Sequence, residues 1–150
     1  MVCSSCGIED CGTLRDQMSA YTLTHGGAEF IHQHLVDAWA VQHAAPSKSN
    51  IGLAFGLIGL YLAVEKSFTG RQVQLAHMQL GKTKRIWPWF DPMPDPPRGF
   101  PRMTIADVAR AEAGPARDQA IREWAAAVWE SCGRAHDWTR KTCADLLGVR

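Results

Sequence analysis

Three cysteines lie close together at the start of this chain, and their spacing constrains what this region can fold around. Cys3 and Cys6 are two residues apart and are followed by Gly7, and Cys11 comes five residues after Cys6. A Cys-x-x-Cys-Gly segment forms a tight turn that suits tetrahedral zinc, because the thiolates and the turn amide groups then face one ion. No apolar run surrounds these cysteines, so packing in a hydrophobic core does not explain them.

The cysteine spacing supplies only part of a zinc site. The chain has no second Cys-x-x-Cys pair, so a fourth ligand must come from elsewhere in the fold. His32 lies near the start of a predicted helix, and we expect it to join Cys3, Cys6 and Cys11 around zinc. Two alternatives stay open, namely a redox dithiol of Cys3 and Cys6 and a set of free thiols.

Composition narrows the class of protein. A chain of 150 residues suits one domain, residues 1–150, and its net charge of +1 with a single basic cluster at residues 82–85 argues against nucleic-acid binding. The odd cysteine count, with Met1 and Val2 leading directly into the cysteines, predicts a reducing cytoplasm. The longest apolar run, Ile51 to Val64, is too short to span a bilayer, so we expect no membrane association.

The hydrophobic pattern has a helical period and no alternation typical of strands. We therefore predict an all-α fold, an antiparallel bundle of four to five helices preceded by a cysteine loop at residues 1–12. The five longer predicted helices are Thr13–Thr24, Ala28–Ala44, Ile51–Lys66, a fourth that starts after Thr69 and ends at Gly81, and a long last helix from Pro115 to about Leu147. A Thr104/Asp107 capping box opens a further short helix before the last one. Gly52, Gly56 and Gly59 lie near one face of the third helix, where they would let another helix approach closely.

A proline-rich and aromatic segment, residues 86–103, interrupts the helices. Its six prolines stiffen the chain and bar regular structure. We interpret the segment as a rigid crossover laid on the bundle, and a lid over a site is the alternative. Trp87 and Trp89 lie in this segment and would supply apolar walls to a binding pocket.

Polar residues on two helices suggest a reactive site. Asp37, His43 and His136 lie on helices that a bundle can bring face to face, and a histidine pair near neutral pH suits acid–base catalysis. We predict these three residues as catalytic. Substrate-binding side chains are predicted nearby, at Trp39, Gln42, Trp87 and Trp89. The simpler interpretation is that His43 and His136 only cap helix ends, and that His34 and Asp37 form an exposed pair.

Three motifs together resemble an uncharacterised family of short bacterial helical proteins. They are the Cys3-x-x-Cys6-Gly7 segment, the helix from His32 through Asp37-Ala38-Trp39 to Gln42-His43, and the late helix with Trp124, Trp129 and His136. The resemblance covers most of the chain. It singles out His32, Asp37, His43 and His136, and it implies no activity. This chain departs from the family pattern in having Trp39 in place of Tyr and Ala44 in place of Pro.

These observations lead to two hypotheses, which assign the protein to different functional classes. The first is a zinc-containing enzyme that acts on a small molecule through Asp37, His43 and His136. The second is a non-enzymatic module in which zinc is structural and the fold binds a protein or small-molecule partner. Three cysteines and one histidine would fill a tetrahedral site and favour structural zinc, because catalytic zinc keeps one position open. The sequence is also compatible with a homodimer.

Overall fold

The computed structural model describes residues 2–25, 27–44, 50–83 and 101–150 and is all-α there. Within these ranges the only strand-like pairing is an isolated bridge between Val2 and Glu9. The described helices are α1 (Cys11–His25), α2 (His32–Gln42), α3 (Asn50–Glu65), α4 (Gly70–Thr83), α5 (Ile105–Arg110), α6 (Pro115–Glu130) and α7 (His136–Leu147). The all-α prediction is therefore confirmed.

Helix α3 lies at the centre of the core. It packs against α2, α4, α6 and α7, and Leu57, Ile58 and Leu60 on it are at most 1% exposed. Two of its three glycines face α2, as the sequence predicted. A Cβ at Gly59 would lie 1.9 Å from Asp37 Oδ2, and one at Gly56 would lie 2.7 Å from Val41 Cγ2. A Cβ at Gly52 would meet no atom of the described residues within 4 Å, so Gly52 does not contribute to this close approach.

The largest differences from the predicted helices concern the second and the last, while other helix ends differ by no more than two residues. The second helix begins at His32 and not at Ala28, because Phe30 takes a left-handed backbone conformation with a φ of 54°. The predicted last helix is broken, since α6 ends at Glu130 and a short 3₁₀ turn at Gly133–Ala135 precedes α7. The capping box is confirmed: Thr104 Oγ1 accepts from Ala106 N–H, and Thr104 N–H donates to Asp107.

Most of the proline-rich segment lies outside the described residues. Of residues 86–103 only 101–103 are described, so the predicted crossover, the lid alternative and the positions of Trp87 and Trp89 are not part of this description. No helix within the described ranges has the length and apolar character that crossing a bilayer requires.

Candidate metal centre

The first cysteine pair lies in a small hairpin. Gly7 N–H donates to Cys3 O at 2.8 Å, and Cys3 N–H donates to Ile8 O at 3.2 Å. Gly7 has a φ of 72°, a conformation that glycine adopts without a steric penalty, which explains the glycine after the second cysteine. This turn brings the Cys3 and Cys6 side chains together, and α1 begins at Cys11 directly after the hairpin.

Four side chains converge at this hairpin. Cys3, Cys6, Cys11 and His43 each offer one ligand atom, and these atoms all lie within 4.8 Å of one another. Tetrahedral zinc with bonds of about 2.3 Å to sulfur has sulfur–sulfur edges of about 3.8 Å, so a contraction of about 1 Å suffices to form the site. Soft thiolates with one imidazole are a typical donor set for structural zinc. The four residues therefore form a group that could hold a metal ion.

The fourth member of this group is His43, where the sequence had suggested His32. Helices α1 and α2 form an antiparallel hairpin, so the end of α1 lies beside the start of α2. There His32 Nδ1 lies 2.8 Å from Thr22 Oγ1. The start of α1, which carries Cys11, consequently lies beside the end of α2, where His43 follows the last helical residue. The fold thus places His43 with the cysteines and His32 with the far end of α1.

A backbone hydrogen bond determines which ring nitrogen of His43 could bind a metal. Its Nδ1 lies 3.0 Å from Trp39 O, and because a carbonyl can only accept, Nδ1 is the donor. In the neutral imidazole Nε2 then carries the lone pair, and metal-binding histidines commonly have their other nitrogen oriented in this way. The Trp39 ring stacks on His43 with centroids 3.6 Å apart, and the Arg15 guanidinium lies over Trp39. Trp39, predicted as a substrate contact, therefore supports His43.

The three thiols influence one another's ionisation. Burial, together with the neighbouring Cys3 and Cys11, raises the pKa of Cys6 to about 12, and a backbone hydrogen bond from Ile8 opposes this only in part. Burial also raises the pKa of Cys11, with Cys3 contributing. For Cys3 burial acts in the same direction, but hydrogen bonds from the Ser5 and Cys6 backbone and from the other thiols outweigh it, so its pKa is lowered. The raised pKa values favour the protonated thiols of Cys6 and Cys11, so three thiolates at this range would form only with a cation to balance their charge.

Asp37 lies in the core, in contrast to the exposed pair with His34 that its spacing suggested. It is 3% exposed, and Gln33 Nε2 donates to its Oδ1 at 3.1 Å. Gln33 Nε2 also lies 3.3 Å from His77 Nδ1, and His77 Nε2 donates to Phe55 O at 2.9 Å. Burial raises the pKa of Asp37 well above its usual range, and Gln33 opposes this only in part. The carboxyl belongs to a buried polar network between α2, α3 and α4.

His136 lies in a third environment. Its Nε2 donates to Trp129 O at 2.7 Å, and its ring stacks on Trp129 with centroids 4.0 Å apart. Trp129 in turn donates its indole N–H to Glu65 at 2.8 Å, and Glu65 pairs with Arg140. The structure thus gives the three predicted catalytic residues different surroundings: the cysteines for His43, the α2–α3–α4 network for Asp37, and Trp129 for His136.

Gln42 has a structural position in the described part of the chain. It is 6% exposed, its Oε1 accepts the Trp124 indole N–H at 3.1 Å, and its Nε2 donates to Met103 O at 3.3 Å. Trp124 is fully buried. Gln42 therefore joins α2, α6 and the segment before α5. These bonds use both polar atoms of the amide, which was predicted to contact a substrate.

Fold and site together define the class: an all-α protein with a candidate metal site of three cysteines and one histidine at its N-terminal end. A model of a family of unknown function, DUF5946, matches residues 1–133, and the chain belongs to this family. This agrees with the uncharacterised family that the sequence motifs suggested. No curated protein and no solved structure matches the chain.

Proposed function

We propose that this protein is a non-enzymatic helical binding module that contains one structural zinc ion, held by Cys3, Cys6, Cys11 and His43. The observation that carries this proposal is the complete donor set of three sulfurs and one nitrogen within 4.8 Å. Four protein ligands fill a tetrahedral zinc ion and leave no position for water or substrate, as is usual for structural zinc. A reducing compartment such as the cytoplasm would keep the thiols available to the metal.

The zinc ion would join three parts of the chain. Cys3 and Cys6 come from the hairpin, Cys11 is the first residue of α1, and His43 follows the end of α2. The thiolate of Cys11 would also lie at the positive end of the α1 dipole, which favours negative charge. Binding one ion would therefore fix the N-terminal hairpin and the α1–α2 pair in their folded arrangement.

The enzyme hypothesis has less support. It requires Asp37, His43 and His136 to act on one substrate, yet His43 belongs to the cysteine group and His136 bonds to Trp129. Asp37 is buried against Gly59 and bonded to Gln33. A general acid or base must reach the reacting proton within hydrogen-bond distance or through one water. The separate surroundings of the three side chains favour the binding module.

Two histidine variants test the proposed ligand set. His43→Ala should weaken zinc binding by about 100-fold or more, because even groups that only orient a ligand are worth 10–100-fold in affinity. His32→Ala removes the histidine that bonds to Thr22 and should keep its affinity within about threefold of the unchanged protein, since it removes no ligand. Competition with a chromophoric chelator measures both affinities.

The pair of variants distinguishes the two histidines directly. Loss of zinc from His32→Ala with retention by His43→Ala would contradict the proposed site and restore the ligand set expected from the sequence. Retention of zinc by both variants would show that neither histidine is a ligand. Circular dichroism of both variants in excess zinc provides the control for folding.

A further inference from the structure

A second site lies on the side of α2 that faces away from the cysteines. A pocket of about 420 Å³ opens between the start of α2, the connection from α3 to α4, and α6. His34 lines this pocket, and it is nine residues before His43 on the same helix. Nine residues turn an α-helix by about 180° and advance it by about 13 Å, so the pocket and the metal group are separate.

His34 is a buried side chain with unused hydrogen-bonding capacity. It is 6% exposed, and its Nδ1 has no hydrogen-bond partner among the described residues. Burial, followed by the positive charge of Arg122, lowers its pKa to about 4, so the imidazole is neutral at pH 7. The Nδ1 atom itself is buried away from solvent, so it does not bond to a ligand in the pocket. The ring contributes an uncharged part of the pocket wall.

The mouth of the pocket is suited to an anion. Arg122 and Glu29 both line it, and the Arg122 guanidinium contacts Glu29 at a long 3.4 Å, with the two side chains 45% and 68% exposed. An exposed pair at this distance adds little stability, so a ligand carboxylate can replace Glu29. Thr69 and Gly70 at the start of α4 also line the pocket, and a helix N-terminus favours negative charge. Thr69 caps this helix: its N–H donates to Gln72 Oε1, and its Oγ1 accepts from Gln72 N–H. The helix therefore favours an anion through its dipole.

Apart from Ser67, the remaining wall is apolar. It is formed by Ile31, Ala63, Val64, Phe68, Ala125 and Ala126. Liquid water occupies about 30 Å³ per molecule, so a pocket of 420 Å³ has room for about a dozen non-hydrogen atoms. One guanidinium at the mouth and an apolar interior with one neutral imidazole match a monoanion with a hydrophobic body.

We infer that this pocket binds a small carboxylic acid with an apolar body, whose carboxylate pairs with Arg122 and whose body lies against Ile31 and Phe68. The inference extends the proposed binding module by assigning a ligand class to a site that does not involve zinc. Glu29 would compete with the ligand carboxylate for Arg122. Removing its charge should therefore improve binding, which a purely structural role of Glu29 would not produce.

The test uses zinc-loaded protein and a panel of probes of matched shape: benzoate, 4-phenylbutyrate and octanoate, each beside its neutral amide. Amide chemical shifts in NMR spectra follow binding. We expect shifts at Ser67 to Gly70 with at least one carboxylate, and binding at least about tenfold weaker for its amide. Arg122→Met should weaken carboxylate binding by about tenfold or more, and Glu29→Gln should strengthen it by about twofold or more.

Arg102→Met is the matched control, because Arg102 also pairs with an exposed glutamate, Glu130, but does not line the pocket. It should bind the probes as the unchanged protein does. The inference is overturned if no carboxylate shifts these amides at millimolar concentration, if the amides bind equally well, or if Arg122→Met and Glu29→Gln leave the affinity unchanged. None of these outcomes affects the zinc measurements on His43→Ala and His32→Ala, so the two proposals fail separately.

Discussion

Replacing Cys6 by serine is expected to lower the free energy of unfolding by about 3–5 kcal/mol, because loss of a metal site ranks among the few changes with such large effects. Cys6 is the most buried cysteine of the metal group, at 3% exposed. A serine hydroxyl is a poor zinc ligand, so the hairpin, the start of α1 and the end of α2 would lose the zinc ion proposed to join them. Urea unfolding followed by circular dichroism measures the loss.

Cys132→Ser is the matched control for this change. Cys132 is equally buried, at 4% exposed, and lies outside the metal group. Its thiol donates to Val128 O at 3.1 Å, and a serine hydroxyl can make the same bond. We expect a loss of about 1 kcal/mol and unchanged zinc content. Equal losses in the two variants, with full zinc content in both, would show that Cys6 has no role as a ligand.

Gly70→Ala is expected to lower the free energy of unfolding by about 2 kcal/mol or more. A Cβ at Gly70 would lie 1.8 Å from Phe30 O and 2.7 Å from Phe30 C. These are backbone atoms, which cannot move aside by changing a rotamer, so α4 must shift away from the α1–α2 connection. Thermal unfolding should show a melting temperature lower by about 4–8 °C, since 1 kcal/mol corresponds to about 2–4 °C at this size.

Gly81→Ala tests the same substitution at the other end of α4. Among the described residues, a Cβ at Gly81 would meet no atom within 4 Å, so only helix propensity changes. We expect a gain of up to about 1 kcal/mol, because alanine is favoured over glycine inside a helix. If Gly70→Ala is neutral or stabilising like Gly81→Ala, the close contact between α4 and the Phe30 carbonyl is absent from the folded protein.

The grouping of the three cysteines could be predicted because the residues that determine it are close together in the sequence. Two residues between Cys3 and Cys6, and a glycine at the position of positive φ, determine the turn within a few residues. The capping box at Thr104 is equally local, and it is confirmed. The helical class also follows from short-range periodicity, although the break at Cys132 to Ala135 has no strong signal beyond Gly133.

Which histidine joins the three cysteines depends on how α1 and α2 run relative to each other. The sequence suggested His32 because it begins α2, on the assumption that the cysteine loop reaches that end. A short connection between α1 and α2 makes them antiparallel, and Cys11 at the start of α1 then lies beside the end of α2. This reasoning was available from the predicted helices, and it would have selected His43. The same antiparallel arrangement places His32 against Thr22 at the other end of the two helices.

The burial of polar side chains on α2 could not be derived from spacing. His34 and Asp37 are one turn apart, which is also the spacing of an exposed pair. Asp37 is buried because Gly59 leaves space for its carboxyl, and which glycine of α3 faces α2 depends on how the two helices rotate against each other. His34 is buried because α6 and the α3–α4 connection, which form the pocket walls, lie on that side of α2.

Zinc K-edge X-ray absorption on the zinc-loaded protein tests the central claim most directly, because it reports which atoms bind the ion. The account predicts a first shell of three sulfurs at about 2.3 Å and one nitrogen at about 2.0–2.1 Å, with the outer-shell scattering of the imidazole ring lost in His43→Ala. A shell of four sulfurs, a shell of nitrogen and oxygen alone, or a protein that binds no stoichiometric zinc would contradict it.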